Sequence, residues 1–245
     1  MKIGGYAHKD GITFFNNIFK VKATYYNNRV DYDIQWILPP RWLRKVSKIP
    51  FLNGILIFFY QWKIINKKIR VVFCALTFLL ILDLIFNFME PFRTYEVWIY
   101  IMIGIVSVLN HKSILKILKF HGAEHKIINC YSEKGYIDIN EVEQSSRFNK
   151  KCGSNLVTIF LILYVLTSFL KINYLIFYLF LLIVALQITK YLSKMQNKFL
   201  ESLNILQYIT VREPSLFELE VGIQGFNKLL QVTAIYNNEQ NKRKI

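Results

Sequence analysis

The chain has 245 residues, 53% of them hydrophobic, with 31 Lys and Arg against 16 Asp and Glu, giving a formal net charge of +15 and a mean hydropathy of +0.28. Apolar and basic runs alternate along it, the pattern of a polytopic membrane protein, and a nucleic-acid binder of this charge would have no use for the apolar runs. Cys74, Cys130 and Cys152 show no paired spacing, which excludes a disulfide framework, and the opening MKIGGYAHKDG offers no apolar core for a cleaved signal peptide.

Residues 1–50 read as an N-terminal cytoplasmic segment. Within it, FKVKATYYNNRVDYDI (Phe19 to Ile34) holds two alternating runs around Asn27-Asn28. Asn tolerates positive φ, so a short β-hairpin is expected there. Residues 51–70 are expected to hold an interfacial helix, because the apolar run Phe51 to Trp62 is only twelve residues long. Trp36, Trp42 and Trp62, with basic residues between them, suit a belt at headgroup level.

Four apolar stretches follow. Val71–Met89, which contains Asp83, and Val97–Leu109 are expected to form a first transmembrane hairpin over residues 71–109, turning at Glu90–Glu96. Residues 110–154 form a cytoplasmic segment, in which a helix from Ser113 to Phe120 runs into HGAEH. Asn155–Leu170 and Ile172–Thr189, turning at Lys171, give a second hairpin over residues 155–189. Residues 190–245 read as C-terminal cytoplasmic helices, with Ser215 and Glu218 spaced as a capping box before Leu216–Val232. The expected fold class is thus mainly α: two transmembrane helical hairpins plus a small cytoplasmic α+β part.

Under that topology 29 of the 31 basic residues fall on one side, 13 of them before residue 71, 8 in the central segment and 8 after Thr189. The positive-inside rule makes that side cytoplasmic, with both termini there and the protein multi-pass in the cell inner membrane. Its expected partners are the lipid bilayer and anionic inner-leaflet lipids. No nucleic acid is expected, and nothing specifies a protein partner.

The chemistry concentrates in His121-Gly122-Ala123-Glu124-His125, which spells H-x-x-E-H in a chain with four histidines. On a helix, positions i and i+4 share a face, so His121 and His125 can offer ring nitrogens to one ion, with Glu124 as general base. Two imidazoles with a thiolate or carboxylate suit a divalent metal such as zinc, with a fourth position left for water. Cys152 is the leading third ligand, followed by Glu213, Glu141 and Cys130. The alternative is a hydrogen-bonded cluster at the membrane surface, joined by Lys126. Cys152 could instead be a packed residue at a turn made by Gly153; a nucleophile with His121 or His125 as its base is the weaker reading, since no thiol motif surrounds it. Gly4-Gly5 and Gly11 could cradle an anion or simply make strained turns. Arg212-Glu213-Pro214 reads as an ion pair fixing the last helix.

Phe120 to Tyr131, FHGAEHKIINCY, resembles the signature of the YqhQ-like bacterial membrane proteins, a domain-of-unknown-function family. Gly4-Gly5 with Asp10-Gly11 is similar to the family's opening block, and Ile49-Pro50-Phe51-Leu52-Asn53-Gly54 to its Leu-Pro-Phe-x-x-Gly element. Arg147 to Ser154, with Cys152-Gly153-Ser154, resembles its Arg-x-His-x-x-Cys-Gly-Thr stretch. Gln207, Thr210, Arg212-Glu213-Pro214 and Glu220-Val221 resemble its C-terminal signature. The resemblance implies a predicted metal-dependent enzyme, with His121, His125 and Cys152 as ligands and Glu213, Arg212, Asp10 and Glu141 in support; no cofactor besides the metal is implied. Three departures bear on the site: Asn149 stands where the family has a histidine, Thr189-Lys190 where it has Tyr-Glu, and Asp10 where it has glutamate. A ligand lost at Asn149 or Lys190 would weaken or rebuild the centre.

The sequence therefore supports a membrane-associated metal-dependent enzyme, most simply a hydrolase of unspecified substrate. A non-catalytic membrane scaffold or assembly factor is the alternative. A small transporter is weaker, because the apolar stretches hold almost no charge.

Overall fold

Strands β1 (Gly4–His8), β2 (Gly11–Phe15), β3 (Phe19–Tyr26) and β4 (Arg29–Trp36) form an antiparallel sheet in the order β1-β2-β3-β4. The computed structural model describes residues 3–46, 59–60, 62–65, 67–86, 96–170, 175–192 and 204–242. Tyr26 pairs with Arg29, which leaves Asn27 and Asn28 as a two-residue turn with φ of 49° and 59°. Both angles lie in the left-handed region, where Asn costs less than other non-glycine residues, and such turns match the natural twist of a hairpin. The short hairpin expected from the sequence is therefore half of a larger sheet.

The helices are α1 (Arg41–Val46), α2 (Lys67–Phe86), α3 (Glu96–Leu109), α4 (His111–Lys134), α5 (Ile139–Gln144), α6 (Gly153–Thr167, continued by a 3-10 turn at Ser168–Leu170), α7 (Leu175–Leu192), α8 (Ile205–Thr210) and α9 (Leu216–Lys242). α4 and α9 lie on one face of the sheet, α4 over β1 and α9 over β2 and β3. Their shared core holds Ile12, Phe14, Val21, Phe120, Ala123, Ile127, Phe226 and Leu229. The N-terminal strands, the motif helix and the C-terminal helix thus bury one another's apolar faces, although about a hundred residues separate each from the next. Asp138 caps α5 by accepting the Asn140 N–H at 2.9 Å. Glu218 reaches back to the Ser215 N–H at 2.8 Å, the glutamate half of the expected capping box, while the Ser215 hydroxyl bonds the Glu218 carboxylate instead of a backbone N–H.

This architecture overturns the expectation of two transmembrane hairpins. Among the described residues one helical stretch, Gly153–Leu170, is long and apolar enough to cross a membrane, with 18 residues and a mean hydropathy of 1.9. The described part of α3 has 14 residues, about 21 Å at the helical rise, against a hydrocarbon core near 30 Å. α2 opens on Lys67, Lys68 and Arg70 and carries Asp83, and the apolar run that qualifies over its described residues is Ile69–Leu79. In α7 the qualifying run over the described residues is Phe180–Leu192. The sequence reading took each apolar run by its boundaries, without the helix ends that set how much apolar length is presented. α6 and α7 pack against each other, Tyr164 facing Tyr178 and Ile159 lying with Ala185. The expected turns at residues 90–95 and 171, half of the interfacial helix expected over 51–70 and the whole Pro-Phe-Leu element at 49–54 lie outside the described residues.

Candidate metal centre

α4 is buried on more than one side. Phe120, Ala123, Ile127 and Cys130 recur at helical spacing and enter the core. The neighbouring face carries His121 and His125, whose rings meet edge to face with centroids 4.5 Å apart. Between them in sequence, Gly122 admits a crossing chain: a Cβ there would stand 1.9 Å from the Arg212 carbonyl oxygen. The Arg212 N–H donates to the Leu118 carbonyl at 3.1 Å, pinning that chain on the helix.

This crossing supplies the partner of the first imidazole. His121 Nδ1 lies 2.9 Å from the Thr210 carbonyl oxygen, and His125 Nδ1 lies 2.7 Å from that of Arg147. A carbonyl only accepts, so both Nδ1 atoms carry a proton, and in the neutral ring Nε2 is the atom left to bind an ion. Metal-bound histidines are fixed in this way by their outer nitrogen. The loop bearing Arg147 is itself tied down. Asn129 Nδ2 donates to the Ser146 and Phe148 carbonyls at 2.8 and 2.9 Å. Lys126, 6% exposed, donates to the Glu143 carbonyl and pairs with Glu213, both at 2.6 Å, while Arg147 lies 3.7 Å from the same carboxylate.

Cys152 completes the group. It is the N-cap of α6, and its Sγ lies 3.6 Å from His121 Nε2. The donor atoms of His121, His125 and Cys152 all fall within 4.8 Å of one another. A tetrahedral zinc with ordinary Zn–S and Zn–N bonds would set sulfur and nitrogen about 3.6 Å apart, so the thiol–imidazole pair already has the spacing of two ligands. Burial pushes the Cys152 thiol up, but the hydrogen bond and charge of His125, then the Ser154 hydroxyl and N–H, outweigh it and bring the thiol below its ordinary range. Ser154 Oγ sits 3.1 Å from the sulfur. The residues present therefore fit a thiolate-loving divalent metal of the zinc type.

Glu124 points to the sheet, with Gly5 leaving it room: a Cβ at Gly5 would be 2.8 Å from Glu124 Cγ. Burial lifts its carboxyl from 4.5 to about 7, and the nearby His121 pulls the other way. The native fold thus holds this proton more tightly than the unfolded chain does. In metal-free protein the associated stability is complete below pH 4.5 and lost as the pH rises through about 7, a change of about 3 kcal/mol. Glu124→Gln should remove that slope from denaturation midpoints measured between pH 4 and 8. An unchanged slope would show that the proton sits elsewhere.

His121, His125 and Cys152 are thus brought together, and Glu124 lies beside His121. The other candidates go elsewhere. Cys130 is fully buried and donates to the Tyr136 carbonyl at 3.7 Å. Glu141 pairs with Lys134 at 3.1 Å, and Asp10 faces Lys9 at 3.9 Å on the surface. Arg212 acts through its backbone, and Glu213 through Lys126 and Arg147. Lys126 joins Glu213, not Glu124, because residues two apart on a helix point in different directions. Asn149, at the position of the family histidine, is a loop builder: its Oδ1 accepts the Lys151 N–H at 2.8 Å and its Nδ2 donates to Asn129 at 3.0 Å. Lys190 is exposed on α7.

Sequence reasoning missed Ser154 and the two backbone carbonyls, which no side-chain motif reveals. It also gave no structural role to Gln207, a fully buried hub that donates to the Asn149 carbonyl, Asn155 and Asn204 at 2.9, 2.8 and 2.9 Å and accepts from the Asn149 N–H at 2.9 Å. Its signal was a glutamine flanked by apolar residues. Gln207→Ala strands these groups and is expected to cost about 3 kcal/mol in chemical denaturation. A loss below 1 kcal/mol, roughly one ordinary hydrogen bond, would mean that the network is replaceable.

A family model described as protein of unknown function (DUF1385) matches residues 40–232, which takes in every residue of the centre and begins after the sheet. The chain is 31% identical over 159 residues to the uncharacterized protein YqhQ of Bacillus subtilis (strain 168), a match covering 58% of this chain and 49% of that one. The chain therefore spans about half the length of that relative. No solved structure matches.

Proposed function

Because this chain belongs to the DUF1385 family of proteins of unknown function, we propose, from its own geometry, that it is a membrane-associated, metal-dependent hydrolase whose metal is held by His121, His125 and Cys152. One observation carries this reading: three donor atoms converge within 4.8 Å while both imidazoles have their outer nitrogen fixed by a carbonyl. When bound, a divalent cation of the zinc type supplies Lewis acidity toward a substrate carbonyl or phosphoryl oxygen. The protein's own groups do the rest. Thr210 and Arg147 hold the two rings in the tautomer that presents Nε2. Ser154 and the start of α6 favour the thiolate at Cys152. Glu124, with its carboxyl raised to about 7, exchanges a proton near neutral pH, as a general base must.

The centre stands at the mouth of α6, the stretch long and apolar enough to enter a bilayer. Lys150 and Lys151 immediately before it favour the cytoplasmic side for this end. The substrate would therefore be met at the inner membrane surface.

The reading is tested with Glu124→Gln and with the His121→Ala, His125→Ala double variant, against chromogenic esters, phosphoesters and amides. Glu124→Gln should keep the metal and lose at least about a hundredfold in turnover, the scale of a general base; the double variant should lose both. Equal metal content in the double variant and the unaltered protein would remove the enzyme reading. Metal binding in the unaltered protein with no turnover on any probe would favour a non-catalytic scaffold that keeps the centre for structure.

A further inference from the structure

A second cluster of charge lies on the sheet face turned away from α4 and α9. Strand register sets Tyr6, Thr13, Lys22 and Asp33 in one row and Phe15, Lys20 and Gln35 in the next. Alternation turns these rows away from core residues such as Phe14 and Val21. The residues leading into α2 cover this face. Tyr6 donates to the Ile64 carbonyl at 3.1 Å, and Lys20 Nζ donates to the carbonyls of Lys63 and Ile64 at 3.2 Å each. Lys20 is thereby 6% exposed. Burial first, then the positive charges of Arg70, Lys22 and Lys63, hold its ammonium below its ordinary range, with Asp33 opposing them.

Lys20, Lys22, Lys63 and Arg70 thus gather about Asp33, while Asp31 on the same face is taken by Arg29, a poor arrangement for a face meant only to pack. Two buried polar atoms in this region, Thr13 Oγ1 and Arg70 Nε, have no hydrogen-bond partner among the described residues. Buried polar atoms without partners are uncommon, and a ligand that completes them is one of the few explanations. Beside Arg70 opens a cavity of about 340 Å³ lined by Trp62, Lys67, Arg70, Val71 and Cys74. One of its walls is cationic. The other is the start of the apolar stretch Ile69–Leu79, whose Val71, Val72 and Phe73 are exposed.

We propose that this cavity binds the phosphate headgroup of an anionic phospholipid, with Arg70 and Lys67 on the phosphate and the acyl chain along α2. Guanidinium matches phosphate oxygens in a fork, and the neighbouring ammonium adds charge without geometric demand. A soluble phosphate ester shares the headgroup chemistry, but it would leave the apolar wall of Val71 and Cys74 wet. Basic residues at the start of an apolar helix are also where the inner leaflet places its negative charge.

Cys74 makes the test direct, because it is exposed in the cavity while Cys130 and Cys152 are buried. The probe is the rate of maleimide labelling at Cys74, read by mass spectrometry on the full chain in neutral detergent. Short-chain phosphatidylglycerol should slow labelling at least tenfold, and phosphatidylcholine of the same length or inorganic phosphate less than twofold. Arg70→Gln should abolish the protection with helical content unchanged by circular dichroism. Should Arg70→Gln fail to fold, Lys67→Gln, at an exposed position, should still weaken protection severalfold. Protection by inorganic phosphate equal to that by phosphatidylglycerol would support the phosphate site and assign it to a soluble ester. Equal protection by phosphatidylcholine, protection unchanged in the variants, or no protection by any probe would overturn the proposal. His121→Ala should keep the protection, so this result and that of the metal centre can fail separately.

Discussion

Single substitution of His121, His125 or Cys152 by alanine should lower zinc affinity by at least about a hundredfold, more than outer-sphere changes usually cost. The expectation rests on convergence: each side chain supplies one of three donor atoms that lie within 4.8 Å of one another, and among the described residues no neighbour replaces it. Cys130 is turned into the core and Glu141 is committed to Lys134, so neither can substitute. Competition with a chromophoric chelator, backed by elemental analysis, measures the loss. Cys130→Ala and Glu141→Gln serve as controls and should leave affinity within twofold. Should all five variants bind alike, the metal lies elsewhere. Should none of them, nor the unaltered protein, bind zinc or another divalent ion, the cluster is a hydrogen-bonded one.

Gly122→Ala is expected to be among the most damaging small substitutions at the described residues. The added carbon would sit 1.9 Å from the Arg212 carbonyl oxygen, 3.1 Å from its carbon and 3.2 Å from Pro214 Cδ. Backbone cannot swing aside as a long side chain can, so α4 and the crossing chain must separate by an ångström or more. That movement breaks the Arg212–Leu118 hydrogen bond and draws Thr210 away from His121. A loss above about 3 kcal/mol follows, the range of severe overpacking with broken hydrogen bonds. Zinc affinity should fall with it. Gly153→Ala is the matched control, since nothing stands within 4 Å of a Cβ there, and it should shift stability by no more than about 0.5 kcal/mol. Denaturant midpoints of the two variants decide the matter: a mild Gly122→Ala would mean that the chain crosses the helix less closely.

Some of this was legible before any coordinates. The spacing of His121 and His125 is itself a statement about one helix face, and the structure places both on α4 as a T-shaped pair. Asn27-Asn28 between two alternating runs specifies its own turn, because few other residue pairs accept two successive positive φ values. The membrane topology was not legible. Counting apolar residues in Val71–Met89 and Val97–Leu109 gave two spans, but among the described residues neither α2, which opens on Lys67, Lys68 and Arg70, nor α3 holds an apolar run of spanning length. The departure at Asn149 also looked like a lost ligand in one dimension. In three dimensions its side chain closes the loop that carries Cys152.

Local sequence by itself determined the groups whose partners are a few residues away: the paired imidazoles, the Asn-Asn turn and the basic and apolar bias of each segment. Only the tertiary structure decided which thiol or carboxylate joins the histidines. Cys152 stands 31 residues from His121, and the carbonyl that fixes that ring is 89 residues away at Thr210. Contacts at such separations are set by how α4, α6, α8 and α9 pack, and packing depends on shape summed over many side chains, which no short motif encodes.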